Sequence, residues 1–174
     1  MSLQPRPAGL LATVLLAALL PARAEAQRQA AGPQTAFLLG VSRFDLTRSG
    51  TGFAGSARLV FRLGRRVLLL EPGLGYLTYR NEFGQRNHWF FPELTLQAEL
   101  RAGLLRPFIG GGGGAGVASL VGSDHWHASL HGVGGVRLRL GRGWGGRAEV
   151  EFRAVPPWSG HTIDFGFGVI RGIL

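Results

Sequence analysis

The chain has 174 residues, 45% of them hydrophobic, with 29 glycines, no cysteine and a formal net charge of +9. That composition excludes a disulfide framework, a collagen-like fibre and a disordered polyelectrolyte, and the length fits one domain. All 19 basic residues are arginines; they are not clustered with exposed aromatics, so nucleic acid is not an expected partner, and anionic lipid headgroups are the more natural use of the surplus.

Residues 1–26 read as a secretory signal peptide. Arg6 supplies a positive start, residues 10–20 (LLATVLLAALL) an apolar run, and Ala24-Glu25-Ala26 a small-residue cleavage signature. The apolar run is too short to cross a bilayer as a helix. Residues 27–34 form a short polar leader, and residues 35–174 are the expected folded domain.

Eight strands are expected in that domain. The first, 35–45, has ambiguous facing. The second, 52–63, sets Phe53, Leu59, Phe61 and Leu63 against Ser56, Arg58 and Arg62. The third, 67–80, carries Glu71 on its polar face, and the polar stretch 81–88 reads as a loop. The fourth, 89–100 (WFFPELTLQAEL), shows the pattern most clearly: Phe90, Pro92, Leu94, Leu96, Ala98 and Leu100 alternate with polar residues from Glu93 to Glu99. Its length suits a tilted strand crossing a bilayer. The fifth is 106–120, followed by a loop at 121–127 and the sixth strand at 128–140, where Ser129, His131, Arg137 and Arg139 share a face. The turn 141–145 leads to the seventh strand, 146–155, in which Arg147, Glu149, Glu151 and Arg153 alternate with apolar residues. The eighth, 161–174, sets Ile163, Phe165, Phe167 and Val169 against Thr162 and Asp164. Tight turns at 64–66, 101–105 and 141–145 alternate with longer loops, the layout of an up-and-down barrel.

The charges decide which face is which. The polar faces carry Arg58, Arg62, Arg137, Arg139, Arg147 and Arg153, together with Glu71, Glu93, Glu99, Glu149, Glu151 and Asp164, a neutral set. One arginine facing lipid at mid-bilayer costs about 2–4 kcal/mol, so several would consume the whole stability of a domain. They must face inward and pair there. A hairpin register placing Arg139 opposite Glu149 also places Arg137 opposite Glu151. Eight strands leave an interior just wide enough for side chains, so a filled, locked lumen is favoured over a gated path for small solutes. The aromatics Tyr76, Tyr79, Trp89, Phe108, Trp126, Trp144 and Trp158 fall near strand ends and fit an interfacial girdle.

On the signal segment, the motifs LLLEPGLGY, RPFIGGGGGAG and GRAEVEFRA and the final glycine-aromatic strand, the chain resembles the small eight-stranded outer-membrane barrels of the OmpA/OmpX-like class. The resemblance implies an antiparallel transmembrane β-barrel in the bacterial outer membrane with both termini in the periplasm, contacting outer-membrane lipid. Two features depart from it: the chain ends in Leu174 where such barrels usually end in an aromatic, and Pro72 and Pro92 interrupt strands.

No catalytic residue, metal or cofactor is expected. The glycine run 110–114 lacks the lysine a phosphate loop requires and more plausibly makes room for lumen side chains or tight curvature. His125, His127 and His131 are of a type that binds zinc, but no second cluster completes a site. His127-x-Ser129 resembles the His-x-Ser element of outer-membrane lipid A deacylases, with Leu130 where that family has Asn and no acid at a short interval. A third reading is a soluble lipocalin-like barrel binding a small apolar ligand, which needs the charged faces outside and the apolar faces inside.

Overall fold

Side chains alternate across a strand, so segments that alternate oily and charged residues place the two sets on opposite faces of a sheet. When the sheet closes, one face becomes a wall and the other an interior. The computed structural model describes residues 32–44, 51–63, 67–80, 84–100, 102–120, 123–141, 143–155 and 160–172. The segment expected as a signal peptide (1–26), most of the leader, and Arg48, Arg65, Arg66, Arg101, Arg142 and Trp158 lie outside the described residues.

The described elements are all strands: β1 (Gln34–Phe44), β2 (Thr51–Leu63), β3 (Leu68–Arg80), β4 (Arg86–Glu99), β5 (Leu105–Leu120), β6 (Ser123–Gly141), β7 (Trp144–Val155) and β8 (Gly160–Arg171). They form a closed barrel in chain order, every neighbour antiparallel, with β1 pairing β8. Closure leaves no free sheet edge. No helix among the described residues is long and apolar enough to cross a membrane.

The apolar faces point out. Phe37, Leu39, Leu74, Ile109, Leu130 and Phe167 are all more than half exposed. The charged faces point in, where Arg58, Glu71, Glu93, Arg137, Arg147 and Glu151 are buried. This is the reverse of a soluble lipocalin-like barrel, whose interior is apolar. Closure also settles β1, ambiguous in sequence: Ala36, Leu38 and Ser42 are buried inside, and Phe37, Leu39 and Val41 lie on the wall.

Several boundaries differ from the sequence expectation. β4 starts at Arg86 and β6 at Ser123, so both absorb residues read as loop, and only residues 121–122 separate β5 from β6. The strict alternation of tight turns and long loops therefore does not hold. The β6–β7 register differs too: Arg137 lies opposite Arg147, Glu149 opposite Gly135 and Glu151 opposite Val133. The cause is a tighter turn than expected. Gly141 already pairs with Trp144, and Gly141 and Gly143 adopt φ of 101° and 77°, which a side chain would resist. The girdle is smaller as well. Trp126 and Trp144 are exposed, but Tyr79, Trp89 and Phe108 have inward parity and are buried.

The two strand prolines each disturb one ladder only. Pairing of β3 with β4 runs unbroken through Pro72 and Pro92, while the β2–β3 ladder skips two pairs, at Pro72 and Glu71, and the β4–β5 ladder two pairs, at Phe91 and Pro92. The register on either side of each gap is the same, so the missing N–H is absorbed without a slip. The glycine run serves close approach. A Cβ on Gly112 would lie 1.9 Å from the Leu94 carbonyl oxygen, and one on Gly114 2.1 Å from that of Pro92. Only glycine permits such sharp coiling of β5 on β4.

Candidate functional site

The interior is layered. One apolar cluster (Ala36, Leu38, Val60, Leu69 and Ile170) lies toward the end that carries the described terminal residues. A second (Leu77, Tyr79, Trp89, Phe91 and Ala118) lies toward the opposite end on β3–β5. Charged side chains from every strand from β2 to β8 meet in the lumen.

Glu71 is one hub. Its carboxylate accepts from Arg147 at 2.9 and 3.1 Å, from Gln97 Nε2 at 2.8 Å and from Arg137 Nη2, and Arg58 Nη1 stands 3.9 Å away. Arg137, with no exposed surface, also donates to Glu99 at 2.7 Å and to the Gln97 amide oxygen. Arg147 donates to Glu149 at 2.7 Å. Both guanidiniums lie over the Phe108 ring, 4.2 and 4.7 Å from its centroid, so the aromatic fills the lumen and offers its negative face to two cations.

Arg153 is the second hub. It grips Glu93 with two parallel bonds at 2.7 and 3.0 Å, donates to Asp164 at 2.6 Å and to Glu151, and lies over the Phe91 ring. Ser42 donates to the other oxygen of Asp164. Arg58 joins the hubs, reaching Glu151 at 2.5 Å and Glu149 at 2.8 Å. Arg62 and Arg106 each approach Glu99 at 3.8 Å.

Arg139 is not part of this network. It is exposed at the rim, beside the register irregularity between Arg139 and Gly141, where the short turn lifts it past the last inner rung. Arg106, at the start of β5 and not among the inward charges expected from sequence, takes an inner place. Among the described residues the interior ions thus remain balanced at six arginines and six carboxylates. Balance matters because each buried ion costs several kcal/mol unless its charge and hydrogen bonds are met. Sequence reasoning missed Gln97, Thr95 and Ser42: the inward parity of Gln97 and Thr95 was readable, that of Ser42 on the ambiguous first strand was not, and the bonding of none of them was.

The histidines do not converge. His127 lies beside the Trp89 ring at 5.9 Å, while His131 is buried and bonded through Nε2 to Thr95 Oγ1 at 2.8 Å. Four residues along a strand separate them by about 13 Å, too far for one ion. The side chain of His125 is outside the described residues. Glu93, His131 and Glu151 do bring ligand atoms within 4.8 Å of one another. Both carboxylates are already held by Arg153, whose charge opposes a metal ion there. Ser129 Oγ is buried with no hydrogen-bond partner, so the His127–Ser129 hydrogen bond a nucleophile pair uses is not formed. A space of about 30 Å³ beside Arg58, Glu149, Glu151, Arg153 and Asp164 has room for about one water.

No family model matches the chain, and no curated protein does. Solved structures do. Neisserial surface protein A superposes with a TM-score of 0.68 at 12% identity, covering 81% of this chain and 97% of that one. A de novo designed transmembrane β-barrel gives 0.53 at 12% identity, over 83% and 98%. The N-terminal β-barrel domain of Pseudomonas aeruginosa OprF gives 0.53 at 14% identity, over 79% and 96%. The fold of the small eight-stranded outer-membrane barrels is the fold of this chain.

Proposed function

We propose that the chain resides in the bacterial outer membrane as a closed barrel with a structural or surface-interaction role, its lumen serving as a brace rather than a passage. The observation that carries this is the pairing of an apolar outer wall with an interior whose buried ions are balanced and mutually bonded. Such a wall is stable in hydrocarbon and not in water. Such an interior holds its arginines and carboxylates against one another rather than offering them to a solute. Catalysis is not part of this reading.

The test is conductance. Purified protein inserted into planar bilayers is expected to give no steady current at neutral pH. Regular single-channel steps from the unaltered chain would replace the brace with the minor small-solute transport role.

A further inference from the structure

We propose that the outer wall over β1–β4, at the end away from the described termini, binds one phosphorylated membrane lipid, with phosphate on a rung of three arginines and an acyl chain in the trough below. The proposal rests on the outer-membrane reading above.

The rung follows from register. Arg43 pairs with Thr51, and Arg80 pairs with Arg86. The β2–β3 ladder ends at the Phe53–Thr78 pair, and its register carried two residues further sets Thr51 level with Arg80. All four have outward parity and are exposed. Strands lie about 4.8 Å apart, so the three arginines share a span of about 15 Å. Arg80 and Arg86 stand directly opposite, an arrangement that repels unless an anion intervenes. Every acid whose side chain is described lies in the interior, and none of the three arginines has a carboxylate partner among the described residues. The interior solves the same problem at Arg137 and Arg147 with Glu71; on the wall no carboxylate among the described residues takes that part, and a lipid phosphate would.

Below the rung lies a groove of about 610 Å³, lined by Val41, Phe53, Tyr76, Thr78, Arg80 and Arg86. Toward the middle of the wall lies a trough of small β2 residues, Gly55 and Ala57, flanked by Leu39 and Phe37 on β1 and by Tyr76 and Leu74 on β3. Tyr76 is fixed as a wall by its hydroxyl against His88 Nδ1 at 2.7 Å and by the Phe90 ring at 5.1 Å. The order is cationic at the membrane surface and apolar toward the bilayer centre, which matches an anionic amphiphile rather than a soluble anion. Guanidinium groups bind phosphate through paired N–H donors.

Native mass spectrometry of the folded, detergent-solubilised chain tests this, with lipid A as the phosphorylated probe and its dephosphorylated form as the comparison. The unaltered chain is expected to retain one lipid A and none of the dephosphorylated form. Near an anionic lipid each arginine contributes roughly five-fold, so Arg43→Gln, Arg80→Gln and Arg86→Gln together should weaken retention about a hundred-fold. Gly55→Leu, which fills the trough without changing charge, should also weaken it, and Arg171→Gln at the opposite rim should not. Equal retention of the dephosphorylated form, or unchanged retention by the triple variant, overturns the proposal. A heat-dependent gel shift with no lipid A retained overturns it alone, while a chain that dissolves without detergent and shows no shift overturns the outer-membrane reading with it.

Discussion

Arg137 and Arg147 face each other across the β6–β7 ladder, and both donate to the same carboxylate, Glu71. Like charges in directly opposed positions repel. Here the pair is held by an acid from β3, across the lumen, and by the Phe108 ring beneath both. Replacing Glu71 with Gln should therefore cost about 3–5 kcal/mol, the loss typical of leaving a buried charge uncompensated. Urea unfolding in lipid vesicles measures it. Adding Arg147→Leu to that variant should restore part of the loss, since it removes the repulsion that Glu71 had cancelled.

Arg153 holds Glu93, Glu151 and Asp164 together. Arg153→Ala would leave three carboxylates in one region of the lumen, drawing in water and cations. A closed barrel that conducts no steady current should then leak, and the leak should favour cations over anions. Reversal potentials under a salt gradient read the selectivity; an anion-selective leak would contradict this charge arrangement.

The wall gives a separate prediction. Phe165 lies near the middle of β8, exposed on the outer face. Phe165→Arg should destabilise the folded barrel in vesicles by about 2–4 kcal/mol, the cost of arginine at mid-bilayer. On a barrel standing in water the same change would be nearly neutral.

Glycine 112 tests the coiling of β5. Gly112→Ala sets a Cβ against the Leu94 carbonyl and should cost at least about 1–3 kcal/mol through overpacking. Gly132→Ala is the internal control, because nothing lies within 4 Å of a Cβ there. Refolding yields of the two variants should separate clearly.

Facing was legible in the sequence because period-two alternation determines it locally: Arg147, Glu149, Glu151 and Arg153 are buried on one face of β7 while Val150 and Phe152 are exposed on the other. Register was not, because it depends on turn geometry. A register placing Arg139 opposite Glu149 needs a wider turn, whereas the positive-φ glycines at 141 and 143 close the chain sooner and leave Arg139 at the rim. The strand β1 was illegible for another reason, since apolar residues occupy both its faces and only closure against β8 distinguishes them. The ion pairs were least legible of all. Arg58 on β2 meets Glu151 on β7 across the lumen, a contact between residues 93 positions apart for which no sequence spacing gives a signal.

The inside-out arrangement is tested most directly by expressing the full chain in a bacterium with an outer membrane and running the membrane fraction on a detergent gel, boiled and unboiled. A closed barrel with an apolar wall should sediment with the outer membrane and migrate differently only after boiling. Recovery in the soluble periplasm with identical mobility in both lanes would contradict an apolar wall in lipid and a charged interior.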